Sequence, residues 1–373
     1  MTVRINKSAF NIREKLSELE RPIGLKGSEL MRSETAQEAG ALLGIGRKNL
    51  CINGNFKIWQ RGTSIAGGAA GNSSAGYKYV TADRFQTYYH NSYARQDSVL
   101  PNGEKVYSLR ETLYSSRLYF DHVIEDGGRI FNQGDYITIS FWAKTSGKRS
   151  GVSLGFYWHS GSNFAATTYT FAGVRKNVII ESSEWKYYTV TARLPANADD
   201  RPHLAIEFDN AASYGPTYGG SWVQLSTNEW WEFANIQIEK GKVATEFEHR
   251  SYGEELALCQ RYFFVFDNGR IITTSNSSSI IAGSIFYPVT MRSNPSVTYY
   301  GGNSTSGTVR FYSAGSGSQL NYDDTANNLT TAFNSLNILG FNSSNISIPN
   351  GYSAWSDLGT GTNQLKLTGS AEL

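Results

Sequence analysis

Asp135-Tyr136-Ile137-Thr138-Ile139-Ser140-Phe141-Trp142-Ala143-Lys144 decides the fold class. Ile137, Ile139 and Phe141 alternate with Tyr136, Thr138 and Ser140, the period of a strand buried on one side and wet on the other. Trp142 interrupts the polar face. Downstream, Val152, Leu154, Phe156 and Trp158 alternate with Ser153, Gly155, Tyr157 and His159. Further strands are expected at Trp185–Leu194, with Tyr188, Val190, Ala192 and Leu194 inward, and at His203–Asp209, with Leu204, Ile206 and Phe208 inward. The last of the series is Trp230–Glu239, where Ala234, Ile236 and Ile238 alternate with Phe233, Asn235 and Gln237. Strand after strand with turn residues between describes a β-sandwich or jelly roll.

Composition agrees. The chain has 373 residues, 13% of them aromatic and 18% charged, with 37 glycines. That mix favours short strands and tight turns over helices, and the length exceeds one comfortable core. A net charge of +2 without a basic block gives no electrostatic footprint for nucleic acid. Cys51 and Cys259 stand in unrelated contexts and read as two small buried hydrophobes. No apolar run reaches the ~7–15 residues of a signal peptide or the ~18 of a membrane span. Membrane insertion is not expected, and release of a particle by lysis of the cell whose cytoplasm made it is one route to the outside.

Residues 1–48 differ from the rest. Ile12, Leu16 and Leu19 lie at helical spacing among charges until Pro22, and a second helix is expected from the N-cap Ser33 to Leu42-Leu43, stopped by Gly44-Ile45-Gly46. Two helices with so narrow an apolar stripe cannot make a core alone, so the segment is expected to pack against another copy, another protein or its own downstream domain. After a β-sandwich over 49–250, residues 251–262 place Leu256, Leu258 and Cys259 among good helix formers and suggest a linker helix. Residues 263–373 are rich in Gly, Ser, Asn and Thr; Gly301–Ser318 has the composition of a low-complexity segment. Ile280–Tyr287 and Val309–Tyr312 are nevertheless strand-like, and a second, smaller β-domain is expected.

Three stretches carry a resemblance. Asn49-Leu50-Cys51-Ile52-Asn53-Gly54-Asn55-Phe56-Lys57-Ile58-Trp59-Gln60-Arg61-Gly62, followed by Tyr79–Phe85, resembles the opening of jelly-roll modules in bacteriophage tail-fibre and related virion proteins, and is similar to the start of carbohydrate-binding modules of glycosidases. Asn235–Gly241 with Ala244–Glu248 resembles the family's last strand, and Glu254–Tyr262 its linker helix. Phe286–Pro295 resembles the early part of a domain that often follows. The resemblance implies a virion protein on tail or capsid, anchored to other virion proteins by residues 1–48 through Ile12, Leu16, Leu19, Leu42 and Leu43, and self-associated as a homotrimer.

It also implies sugar binding, which needs flat aromatic faces for the apolar side of a pyranose and planar polar groups for its hydroxyls. The candidates are Tyr157, His159, Trp185, Tyr187, Arg193, His203, Glu207 and Asp209. Aromatics on an outer sheet face more often serve as cross-strand partners or meet a neighbouring subunit than form a ligand platform. Related modules hold a structural calcium beside the first and last strands; Asn53, Asn55 and Asn235 occupy comparable stretches, with an amide at 235 where a carboxylate is common. No other cofactor is expected.

Catalytic signatures are absent from the sequence. There is no HExxH and no GxSxG, and Gly40–Gly46 lacks the ending of a phosphate-binding loop. A glycosidase would need two carboxylates flanking a bond; Glu229 with Glu232, and Asp199 with Asp200, are the nearest groupings, and both read as turn residues. The expected function is a virion fibre or receptor-binding protein with β-domains exposed to host-surface polysaccharide. The alternatives are a structural head or tail decoration and, third, a polysaccharide depolymerase.

Overall fold

The computed structural model describes residues 48–372 apart from 70–77, 89, 115–117, 148–149, 160–169, 195, 198–200, 211–224, 267–268, 278–279, 302–307, 314–318, 326–328, 335–337, 344–352 and 359–364. The expected attachment residues Ile12, Leu16, Leu19, Leu42 and Leu43 lie outside the described residues, as do Asp199 and Asp200.

The alternating stretches form strands and the fold is mainly β. In chain order these are β1 (Ser64–Ile65), β2 (Phe85–Thr87), β3 (Ser92–Val99), β4 (Lys105–Thr112), β5 (Tyr119–Ile124), the short helix α1 (Gly127–Ile130), β6 (Tyr136–Thr145), β7 (Ser150–His159), β8 (Thr170–Ile180), β9 (Lys186–Arg193), β10 (His203–Asp209) and β11 (Trp230–Lys240). Among the described residues they make two antiparallel sheets, one ordered β1-β3-β4-β11-β6-β9 and one ordered β2-β5-β10-β7-β8. The inner faces of the two pack together as a sandwich of jelly-roll type.

Aromatic rings from both sheets meet at its centre. Phe120 of β5 stacks on Phe208 of β10 at 4.6 Å, and Phe233 of β11 lies 5.1 Å from Phe120, 5.4 Å from Phe141 of β6 and 5.1 Å from Trp231. All five are fully buried, and such tilted and edge-on pairs add to the area they remove from water.

β11 departs from simple alternation. Its register against β6 shifts between Ala234 and Gln237, and Asn235 takes a left-handed φ of 48°. The bulge inserts a residue, so Phe233 and Ile236 both face the core, while Ala234 stands opposite Trp142 on the outer face. The expected grouping of Ala234 with Ile236 and Ile238 is thereby corrected. Gly54 docks on this bulge: its carbonyl accepts from the Ile236 N–H at 2.9 Å, and a Cβ at residue 54 would stand 2.0 Å from the Ile236 oxygen.

The linker is the helix α2 (Tyr252–Gln260), capped by Ser251, whose Oγ accepts from the Glu254 N–H at 3.2 Å. Its buried residues are Glu255 and Cys259, whereas Leu256 and Leu258 are half-buried. Glu255 accepts from the Asn53 N–H at 2.6 Å and pairs with Arg250 at 3.2 Å, so a polar contact holds the helix to the sandwich.

The strands after α2 are β12 (Phe263–Phe266), β13 (Gly269–Ser277), β14 (Ile280–Phe286), β15 (Ser296–Gly301), β16 (Thr308–Ser313), β17 (Gln319–Thr325), β18 (Leu329–Asn334), β19 (Ile338–Ser343), β20 (Ser353–Leu358) and β21 (Leu365–Ser370). They join a third sheet with the path β12-β21-β20-β13-β14-β19-β18. Its junction with the sandwich is charged. Arg84 lies over the Tyr262 ring at 3.5 Å, Arg61 lies over the Phe263 ring at 3.6 Å, and both pair with Glu372. Tyr262 donates its hydroxyl to Glu125 at 2.5 Å, and Arg292 reaches the same carboxylate at 3.4 Å.

Candidate functional site

The eight expected sugar-binding residues do not share one surface. Tyr157, His203, Glu207 and Asp209 point to the outer side of the five-stranded sheet; Tyr187 and Arg193 belong to the six-stranded one, and Trp185 immediately precedes its strand β9. His159 pairs with His203 through the backbone, and its side chain lies outside the described residues.

On the five-stranded sheet the register aligns Gln86, Asp121, Glu207, Gly155 and Arg175 in one row across β2, β5, β10, β7 and β8. Arg175 pairs with Glu207 at 2.9 Å and also bonds the Tyr157 hydroxyl. The missing side chain at Gly155 makes room for the Tyr157 ring, which a Cβ there would meet at 2.8 Å. Burial pushes Asp121 well above the usual carboxylate range, against the hydroxyl of Tyr119 at 3.1 Å and with the charge of Glu207 adding to the rise. Apart from the half-buried Arg175, these groups are buried. Tyr157 packs with Val123, Ala205 and Tyr262, so the linker covers one end of this face and the ring belongs to a packed cluster rather than to a platform. His203 lies near the junction, where burial and then the Arg292 charge hold its imidazole below the usual value.

The outer face of the six-stranded sheet is open and aromatic. Trp142 of β6 stands opposite Tyr187 of β9, with ring centroids 5.4 Å apart, and Tyr187 is 47% exposed. Next to them, Arg110 of β4, Glu232 of β11 and Lys144 of β6 face one another across adjacent strands. Glu232 is fully buried beneath its neighbours. It accepts from Arg110 at 2.7 and 2.9 Å, from Ser108 at 2.6 Å and from Ser98 at 3.0 Å, with the Lys144 ammonium at 3.6 Å. Arg110 lies over Trp230 at 4.2 Å, and Lys144 lies over Trp185 at 4.5 Å. One carboxylate thus fixes two cations, and the cations fix two half-buried indoles through their ring quadrupoles.

Two indoles held by a buried ion cluster, beside the Trp142–Tyr187 pair, form a partly wet surface. It can stack on apolar faces, while the cations and nearby hydroxyls supply hydrogen bonds. Arg193 lies apart, at the far end of β9, where its Nε donates to the Gly134 carbonyl at 3.3 Å. Reasoning from sequence found Trp185 and Tyr187 but missed Trp230, Arg110 and Lys144. It noted Trp142 on the polar face without assigning it to the site, and it weighed Glu232 only as a catalytic acid. Trp142 was the available signal, because a tryptophan on the wet side of an alternating strand asks for partners across the sheet.

The calcium candidates are engaged in the protein's own hydrogen bonds. Asn53 uses Oδ1 to accept from the Ile58 N–H at 2.9 Å and Nδ2 to donate to the Ile58 and Asp83 carbonyls. Asn55 Oδ1 accepts from the Lys57 N–H at 3.3 Å, and Asn235 turns its amide nitrogen to Glu104 at 3.0 Å. Hard cations need oxygens converging at one point. Among the described residues no group of three or more His, Cys, Asp or Glu could hold a metal ion.

No family model matches the chain, and no curated protein matches it. Parts of it are similar to several solved structures. One is the enzymatically active domain of tailspike protein 4 of bacteriophage CBA120, at 13% identity and a TM-score of 0.31, over 52% of this chain and 21% of that one. Another is a xylan-binding domain from Paenibacillus barcinonensis, at 14% identity and a TM-score of 0.30, over 42% of this chain and 91% of that one. The chain spans about a fifth of the length of the tailspike protein it matches.

Proposed function

We propose that this protein is a non-catalytic fibre or receptor-binding component of a bacteriophage virion that contacts host-surface polysaccharide through the outer face of its six-stranded sheet. The observation that carries the binding part is the aromatic band of Trp142, Trp185, Tyr187 and Trp230, set around the ion cluster of Glu232. Pyranose rings present an apolar face to flat aromatics and hydroxyls to planar polar groups, and this surface offers both. Attachment to the particle falls to residues 1–48, and copies in a homotrimer multiply a weak contact into avidity.

A glycan array probed with the full chain tests the reading, with Trp142→Ala/Tyr187→Ala as control. Binding that the double variant loses supports it. A chain that binds no host-derived glycan even when multimerised overturns it and leaves the aromatic band as a packing surface for another virion subunit.

A further inference from the structure

We propose that a groove beside the β11 bulge is a second binding site, separate from the aromatic face, and that it takes a neutral saccharide unit. The groove encloses about 600 Å³, within the range of sites that hold small ligands. The Asn53–Phe56 loop and the bulge contribute Asn55 and Asn235, the β3–β4 hairpin contributes Asp97, Glu104, Lys105 and Tyr107, and Lys57 completes the lining used here.

Asn55 is the decisive residue. It is 3% exposed and its Oδ1 already accepts from the Lys57 N–H, which leaves Nδ2 to donate. That nitrogen is buried and has no hydrogen-bond partner. An amide N–H kept from water without an acceptor is costly, and a ligand oxygen in the groove would relieve it. The other polar groups narrow the choice. Asp97 and Glu104 accept, Lys57 and Lys105 donate, and the two carboxylates balance the two ammonium groups. A ligand whose groups both donate and accept satisfies such a wall, whereas a purely anionic or purely cationic one leaves half of it unpaired. Sugar hydroxyls do both, and Tyr107 supplies a ring for an apolar face. The loop that offers Asn55 is held in place by left-handed residues on either side, Asn53 at φ 62° and Phe56 at φ 52°.

The test is saturation-transfer NMR on the full chain with glucose, galactose, N-acetylglucosamine and their β-linked disaccharides. Asn55→Asp keeps the acceptor for the Lys57 N–H and replaces only the donor. Asp97→Ala alters an exposed residue and serves if Asn55→Asp does not fold. At least one neutral sugar is expected to bind, with affinity falling about tenfold in both groove variants and persisting in Trp142→Ala/Tyr187→Ala. Groove variants that bind every probe like the parent overturn the proposal, and if the aromatic variant then loses all binding, the aromatic-face reading stands alone. Binding of glucuronic or sialic acid without any neutral sugar also overturns it.

Discussion

Glu372 pairs with Arg84 across the junction between the sandwich and the third sheet, and Arg84 is the more deeply buried of the two. Arg84 holds a left-handed φ of 72°, donates to the Val123 carbonyl at 3.0 Å and lies over the Tyr262 ring. Its charge has no route to water, so its stability depends on that carboxylate. Glu372→Ala is expected to cost about 3 kcal/mol or more, because removing one partner strands a buried cation. Arg61→Ala, at a side chain with partial access to water, should cost less. Urea unfolding of the two variants checks the order.

Glu111 predicts a pH dependence. It is fully buried, with no cation bonded to it among the described residues, and accepts from the Asn91 amide, the Tyr93 hydroxyl, the Tyr119 N–H and the Trp231 indole. Burial raises its carboxyl from 4.5 to about 7, against the pull of those donors. The folded protein therefore keeps a proton that the unfolded chain releases at lower pH. This contribution is complete below pH 4.5 and is lost as pH rises through 7, by an amount on the order of 3 kcal/mol. Asp121 pushes the same way, so a variant is needed to isolate the effect. Glu111→Gln is expected to flatten the fall in urea midpoint between pH 5 and pH 8, even though its amide loses one donor contact.

Gly54→Ala is expected to be among the most damaging single-methyl changes. The added carbon would meet the Ile236 backbone oxygen at 2.0 Å, and backbone at a bulge cannot swing aside as a side chain can. A cost of about 3 kcal/mol or more, or failure to accumulate as folded protein, is expected. Circular dichroism melting of the purified variant measures it. Gly103→Ala, which meets nothing within 4 Å but sits at φ 86°, is the control for conformational strain alone.

Cys51 and Cys259 are expected to be inert in the native state. Both are fully buried and free, and burial pushes both thiols well up, with the Glu255 charge adding to it at Cys51. A thiol-exchange reagent should label neither residue in buffer and both in guanidinium. Rapid labelling of the folded protein would show that α2 lifts from the sandwich on that timescale.

The period of two made the strands legible, including which side of β6, β7, β9 and β10 faces the core. Val152, Leu154, Phe156, Trp158, Leu204, Ile206 and Phe208 are all buried in it. Alternation does not say which sheet a strand joins, and so Tyr157 and Tyr187 could be grouped as one face when they lie on opposite sides of the sandwich. Nor does it reveal that Tyr262 covers Tyr157, since that contact joins residues far apart in sequence. The bulge at Asn235 was hidden because a local run of Phe233-Ala234-Asn235-Ile236 fits either parity until a partner strand fixes it. Glu111 and Glu232 are both acids within strands, and nothing in their sequence neighbourhoods tells them apart; the fold puts one inside with neutral donors and the other under two cations.

The position of β11 has a consequence for how the molecule is made. The strand that stands between β4 and β6 is the last of the sandwich to leave the ribosome, more than a hundred residues after β4. Until it arrives, β4 and β6 each present an open edge, and neither half of the six-stranded sheet can close over the aromatic centre. Folding must therefore wait for a distant segment, which slows it and leaves nascent chains exposed to pairing with one another. The final strand works as a timer, delaying a finished surface until the whole sandwich has been synthesised.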